Sequence, residues 1–194
     1  MAINLKSLSK PDKQRPVIMT IFGEGGLGKT SLASLFPSPV FIRTEDGTAS
    51  LVGNDNVSLF PVATSSQDVL DAIEALGTEK HDHKTLVIDS ITQLASIIES
   101  EIVEQDPKAK SISTAGGGFG SGFSQAAERH SLVRSWAGSL AYEMNMNVVF
   151  IGHADTETLT LPDMDPYNRY CVRMHKRSIP VSYTHLTLPT NREV

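Results

Sequence analysis

Gly23-Glu24-Gly25-Gly26-Leu27-Gly28-Lys29-Thr30 fits the pattern G-x-x-x-x-G-K-[ST], a loop whose backbone N–H groups curl around phosphate oxygens. Its surroundings are those the loop requires. Val17-Ile18-Met19-Thr20-Ile21-Phe22 ahead of it is an apolar run that reads as a buried strand, and Ser31-Leu32-Ala33-Ser34-Leu35 after it has helical composition. Glycine is needed where a Cβ would intrude on a phosphate, and the start of the helix adds unpaired N–H groups. The expected ATP-binding set is therefore Gly23, Glu24, Gly25, Gly26, Leu27, Gly28, Lys29, Thr30 and Ser31. Lys29 supplies a point charge for the β- and γ-phosphates, and the Thr30 hydroxyl suits Mg²⁺. No N-K-x-D stretch accompanies the loop, which disfavours guanine nucleotides.

Working outward, strands and helices alternate. Val40-Phe41-Ile42 and Val57-Ser58-Leu59-Phe60 read as short strands, the second closed by Pro61. Ser65-Ser66-Gln67-Asp68 offers a capping box to a helix with the stripe Val69, Leu70, Ile73 and Leu76, ending at Gly77. Thr85-Leu86-Val87-Ile88-Asp89 is a buried strand ending in a carboxylate, and Leu94, Ile97, Ile98 and Ile102 mark the helix after it. Residues 106–124 lack periodicity and carry five glycines, so they read as a long loop. Leu132, Trp136, Leu140 and Met144 then predict a helix ending near Asn145, and Val148-Val149-Phe150-Ile151 a core strand. Residues 158–161 and 170–174 read as a β-hairpin around Pro162-Asp163-Met164-Asp165-Pro166. The expected fold is α/β, a mostly parallel sheet covered by helices on both faces, with a C-terminal hairpin.

Three segments follow: a polar arm over 1–16, a domain over 17–180, and a tail over 181–194. The stretch Val181-Ser182-Tyr183-Thr184-His185-Leu186-Thr187-Leu188-Pro189-Thr190 resembles a transposon mosaic-end sequencing adapter translated in one frame. Residues 181–194 are therefore expected to be an adapter scar that packs poorly on the core, with the domain truncated at its C-terminal end. Hydrophobic content of 40% and charged content of 20% are ordinary for a globular domain. No apolar run approaches a membrane span. Cys171 is the lone cysteine, which excludes internal disulfides and cysteine-rich zinc sites and suits the cytoplasm. A net charge of −5 gives no general attraction to nucleic acid, so such binding must come from local patches.

Ligands of open α/β sheets sit at the carboxyl ends of the strands. Lys29, Glu45, Asp89 and His153 all fall there. Asp89 suits Mg²⁺, Glu45 suits the activation of water as a general base, and His153 suits a hydrogen bond to a γ-phosphate. The plainer roles are a helix cap for Asp89, a turn carboxylate for Glu45 and a satisfied core group for His153. Phe119 and Phe123 on the glycine-rich loop offer rings for base stacking on single-stranded DNA, with Lys108 and Lys110 beside them; a bare linker is the alternative. His81-Asp82-His83 fits a solvated loop better than a metal site, and the basic residues Arg169, Arg173, His175, Lys176 and Arg177 suit either phosphates or solvent.

Taken in order, residues 23–30, Thr44-Glu45-Asp46-Gly47, Leu86-Val87-Ile88-Asp89-Ser90 and Val149-Phe150-Ile151-Gly152-His153 resemble the phage-encoded RecA-like proteins among the AAA-type ATPases, a group that includes single-strand annealing and recombination proteins. The resemblance spans about residues 15–178. It implies a RecA-like P-loop core, ATP and Mg²⁺ as ligands, Glu45 as catalytic glutamate, Asp89 as the Walker B aspartate and His153 as the sensor at the end of its strand. It also implies a DNA-facing loop over 106–124 and assembly with further copies in a bacterial cytosol. No arginine finger stands out, though Lys176 or Arg177 suits contact with a neighbouring subunit's nucleotide. Two other functions stay open: a nucleotide-gated DNA-binding module with negligible turnover, and a small-molecule or nucleotide kinase.

Overall fold

Runs of β-branched and aliphatic residues with no polar alternation require a sheet covered on both faces, and that sheet forms. The computed structural model describes residues 15–47, 51–161 and 164–178; most of the polar arm and all of the 181–194 tail lie outside them. The elements run β1 (Ile18–Gly23), α1 (Lys29–Ala33), β2 (Pro39–Arg43), β3 (Ser58–Val62), α2 (Ser66–Thr78), β4 (Thr85–Asp89), α3 (Ile91–Glu104), α4 (Ser121–Glu143), β5 (Asn147–Leu161) and β6 (Met164–Val172). The strands lie in the order β1-β5-β4-β2-β3, all parallel, and β6 pairs antiparallel with the far half of β5. This is the mostly parallel α/β architecture expected of a RecA-like core.

Alternate residues along each strand divide the core into two halves. Val40, Ile42, Leu86, Ile88, Val148 and Phe150 pack against α2, α3 and α4, whereas Phe41, Val87, Val149 and Ile151 point the other way, towards Ala33 of α1. The capping box at α2 forms as expected: Ser65 Oγ accepts from the Asp68 amide while the Asp68 carboxylate accepts from the Ser65 amide.

Several boundaries differ from the sequence reading. Gly77 lies inside α2, with Leu140 of α4 beside it, and Glu79 is the cap. Pro61 lies within β3, where an edge strand tolerates a missing donor. Residues 106–124 are not one loop: a short 3₁₀ turn spans Ala115–Gly117 and α4 begins at Ser121. Gly122 permits this, since a Cβ there would lie 2.2 Å from the Ile112 carbonyl oxygen. In α4 the buried face is Ala126, His130, Val133, Ala137, Leu140 and Ala141, while Leu132 and Met144 are exposed. A strict four-residue repeat drifts off a helix of 3.6 residues per turn, so its ends, Leu132 and Met144, turn off the buried face while Leu140 stays on it. β5 continues unbroken from the core to Leu161, carrying the hairpin with β6.

His130 is the one buried ionisable group of α4 with a resolved shift: burial pushes its pKa down to about 4. It lies among Ile91, Leu94, Val133 and Phe150, with Arg134 nearby. Because the folded state disfavours the protonated ring, stability should be intact above the unfolded value near 6.5 and fall as pH drops towards 4, by about 2–3 kcal/mol at pH 4.5. Urea unfolding at pH 7 and 4.5 should show a smaller loss for His130→Leu; an equal loss in both proteins sinks this assignment.

Candidate functional site

The glycine loop joins β1 to α1 through left-handed backbone at Gly26 (φ 78°) and Gly28 (φ 76°), conformations that glycine adopts without strain. A Cβ at Gly25, Gly26 or Gly28 would meet nothing within 4 Å, so these positions border open space rather than packed protein. Glu24, Leu27 and Ser31 are exposed around that space. The first-turn N–H groups of α1 have no partner within the helix. Lys29 folds back over the loop, its Nζ donating to the carbonyl oxygens of Gly23 (3.0 Å) and Glu24 (2.8 Å).

The next residue reaches across the sheet. Thr30 Oγ1 donates to Asp89 Oδ2 at 2.7 Å, which brings a hydroxyl and a carboxylate to one point at the end of β4. Burial pushes the Asp89 carboxyl above its ordinary range and Glu45 adds to the push, while the Thr30 hydroxyl, His153 and Lys29 oppose it. A divalent cation supplies the missing positive charge at such a place. Among the described residues no three His, Cys, Asp or Glu side chains cluster as metal ligands; Mg²⁺ does not require that, because it keeps several waters and takes one or two protein ligands plus phosphate oxygens. The open loop, the ammonium and the oxygen pair therefore fit a nucleoside triphosphate with its cation. Asp89 is not the helix cap, since Ser90 caps α3 by accepting from the Gln93 amide.

Glu45 and His153 meet at the same edge. Their Oε1 and Nε2 atoms are 3.0 Å apart, with the side chains 37% and 30% exposed, so the pair remains open to solvent. His153 pairs in register with Gly23, the first residue of the glycine loop, and its amide donates to Thr92 Oγ1. Glu45 follows β2, two strands away from β5, and reaches over the end of β4.

Thr44 fixes this span, a role its sequence context did not reveal. Buried between β2 and β4, its amide donates to the Asp89 carbonyl, and its hydroxyl both donates to the Ser90 carbonyl and accepts from the Ser90 amide. The only sequence signal is a hydroxyl residue between a strand and an acid. Thr44→Val leaves the buried Ser90 amide unmet, while the Ser90 carbonyl still accepts from the Leu94 amide, so it should cost about 1–3 kcal/mol of stability and lower turnover more than nucleotide affinity, because Glu45 is the adjacent residue. Unchanged stability in thermal unfolding would contradict the clamp.

The loop candidates separate. Phe119 is fully exposed at φ 52°, and Lys108 and Lys110 are exposed. Phe123 is in α4, half-buried, with its ring stacked on His175 at 3.7 Å and 12°. Arg169 pairs with Glu157, Arg173 bonds the Ala154 carbonyl, and Arg177 bonds Gly120 and Ser124. His81 Nε2 bonds the Leu76 carbonyl, which gives that histidine a structural role. No helix among the described residues is long and apolar enough to cross a membrane.

Residues 15–185 match the family model described as AAA domain, which covers most of the chain. No curated protein matches the chain.

Proposed function

We propose that this chain, which belongs to the AAA domain family of P-loop ATPases, binds ATP and Mg²⁺ and hydrolyses the β–γ bond, with nucleotide state setting its affinity for single-stranded DNA. The observation carrying this reading is the convergence of four elements on one sheet edge: the open glycine loop with Lys29, the Thr30–Asp89 pair, Glu45, and His153 bonded to Glu45. Lys29 and the loop amides bind and orient the phosphates. Thr30 and Asp89 hold Mg²⁺, which when bound offsets the charge developing on the phosphate oxygens. Glu45 accepts the proton of the attacking water. His153, on the strand beside the loop, is placed to bond a γ-phosphate oxygen and so to tie the state of Glu45 to the nucleotide.

Phage recombination and assembly with further copies of the chain belong to the same proposal, and the order of the four motifs supports them. For DNA, the supporting observation is Phe119: a whole aromatic ring stands in solvent on left-handed backbone, a costly arrangement without a partner. Phe119→Ala should weaken single-strand binding by roughly 1–3 kcal/mol. Loss of Lys108 or Lys110 should flatten the log–log salt slope by about 0.7 each. Phe123→Ala acts instead through the His175 stack. ATPase rate with and without single-stranded DNA, together with fluorescence anisotropy of the DNA, tests the whole reading. Turnover stimulated by DNA supports it; ATP-dependent binding without turnover assigns a nucleotide-gated module, and equal affinity in Phe119→Ala leaves the loop a linker.

A further inference from the structure

The segment after β6 connects the nucleotide edge to the base of the Phe119 loop. Its first contact is at the site, where the Arg173 amide donates to the His153 carbonyl at 2.9 Å. Two residues on, His175 stacks on Phe123 in the first turn of α4. Burial, with Arg177 and Lys176 close by, holds His175 below the usual histidine range, which keeps a neutral ring on the aromatic face. Arg177 then donates from NH1 to the Gly120 carbonyl (2.7 Å) and to Ser124 Oγ (2.9 Å). Ser178, buried, closes the segment by donating its amide to the His175 carbonyl.

The loop gripped at its base is unusual. Gly116, Gly117, Gly118, Phe119 and Gly120 all have positive φ, from 52° to 88°. Phe119 is the one residue among them with a side chain, and left-handed backbone costs it energy that an exposed ring does not return. Gly120 admits the arginine, since a Cβ there would lie 3.0–3.3 Å from the guanidinium. The loop thus has one firm external hold at its α4 end, and that hold belongs to the segment anchored on His153.

We infer that residues 173–178 act as a strap that transmits the position of His153 to the Phe119 loop, with Arg177 as the positioning residue that sets how Phe119 is presented. This rests on the DNA-binding reading above for what Phe119 touches, but not for the coupling itself. A His153 that shifts towards a γ-phosphate carries its carbonyl, and the Arg173 amide bonded to it, with it. The bonds of Arg177 and the His175 stack carry that shift to Gly120 and the first turn of α4. Free of the strap, the loop loses its response to nucleotide while the phosphate site is untouched.

The test uses the full chain with Phe119→Trp as reporter in a Trp136→Phe background, which leaves one tryptophan. Acrylamide quenching of that reporter is measured without and with saturating ATP and Mg²⁺, alongside anisotropy of a labelled oligo-dT. ATP should change the quenching of the reporter indole, and it should change oligo-dT affinity of the native chain by about fivefold or more, the lower end of ordinary coupling. In Arg177→Gln both responses should vanish while ATP affinity holds. Gly120→Ala, which pushes the guanidinium away, should do the same. A general loosening of the fold would not spare ATP affinity while erasing the response. An ATP response preserved in both variants overturns the strap, as does a reporter blind to ATP in the parent. A reporter that responds through Arg177 in a protein that does not bind oligo-dT upholds the strap and rejects the DNA reading.

Discussion

Lys29→Ala is expected to abolish measurable ATP binding and leave the fold standing. The two consequences separate because the ammonium has different partners in the two states. Among the described residues its Nζ donates to the Gly23 and Glu24 carbonyls of its own loop. Water can take over at the exposed Glu24, so the loss should be about 1 kcal/mol, or roughly 2–4 °C in the thermal midpoint of a domain this size. The phosphates have no such substitute. Each charge-assisted hydrogen bond to them is worth about 1.5–3 kcal/mol, and one ammonium can make two, so affinity should fall by roughly 10²-fold or more. Calorimetric titration with ATP and Mg²⁺, paired with thermal unfolding, reads both effects. Unchanged ATP affinity would move nucleotide binding away from the glycine loop, and a collapsed fold would make Lys29 a structural residue.

What the sequence disclosed depended on how local the constraint is. The loop over 23–30 was legible because its glycines, lysine and threonine each meet a demand set within a few residues. Asp89 was legible as a strand-end carboxylate because the run Leu86-Val87-Ile88 before it reads as a buried strand. The meeting of Glu45 with His153 was not, because it depends on β4 lying between β2 and β5, a feature of strand order that no local pattern encodes. The same holds for Arg177, whose partners Gly120 and Ser124 are more than fifty residues away. The fold's errors have a similar cause. Residues 152–157 fall between two expected strands, yet β5 runs through them, since from Ala154 on it leaves the parallel sheet and pairs with β6. Leu132 and Met144 read as core until the buried face of α4 is seen to run through Ala126, Val133, Ala137 and Leu140.

Glu45→Gln should keep ATP and Mg²⁺ binding and lose at least ~10²-fold in turnover, the scale of general base catalysis. The amide has nearly the shape of the carboxylate and can still bond His153 Nε2, so the edge between β2 and β5 stays closed. It cannot take a proton from water. Its neutrality also bears on the metal pair, because the Glu45 charge is among the influences that raise the Asp89 carboxyl. With that charge gone, Asp89 ionises more readily, and Mg²⁺ affinity should hold or rise. Phosphate release and magnesium titration on the same preparation distinguish this from general damage, which would lower both. Replacing His153 with glutamine should be milder, since it removes a partner of the base and not the base. Native turnover in Glu45→Gln would return the carboxylate to a turn role beside Asp46 and leave the water at this edge without a base.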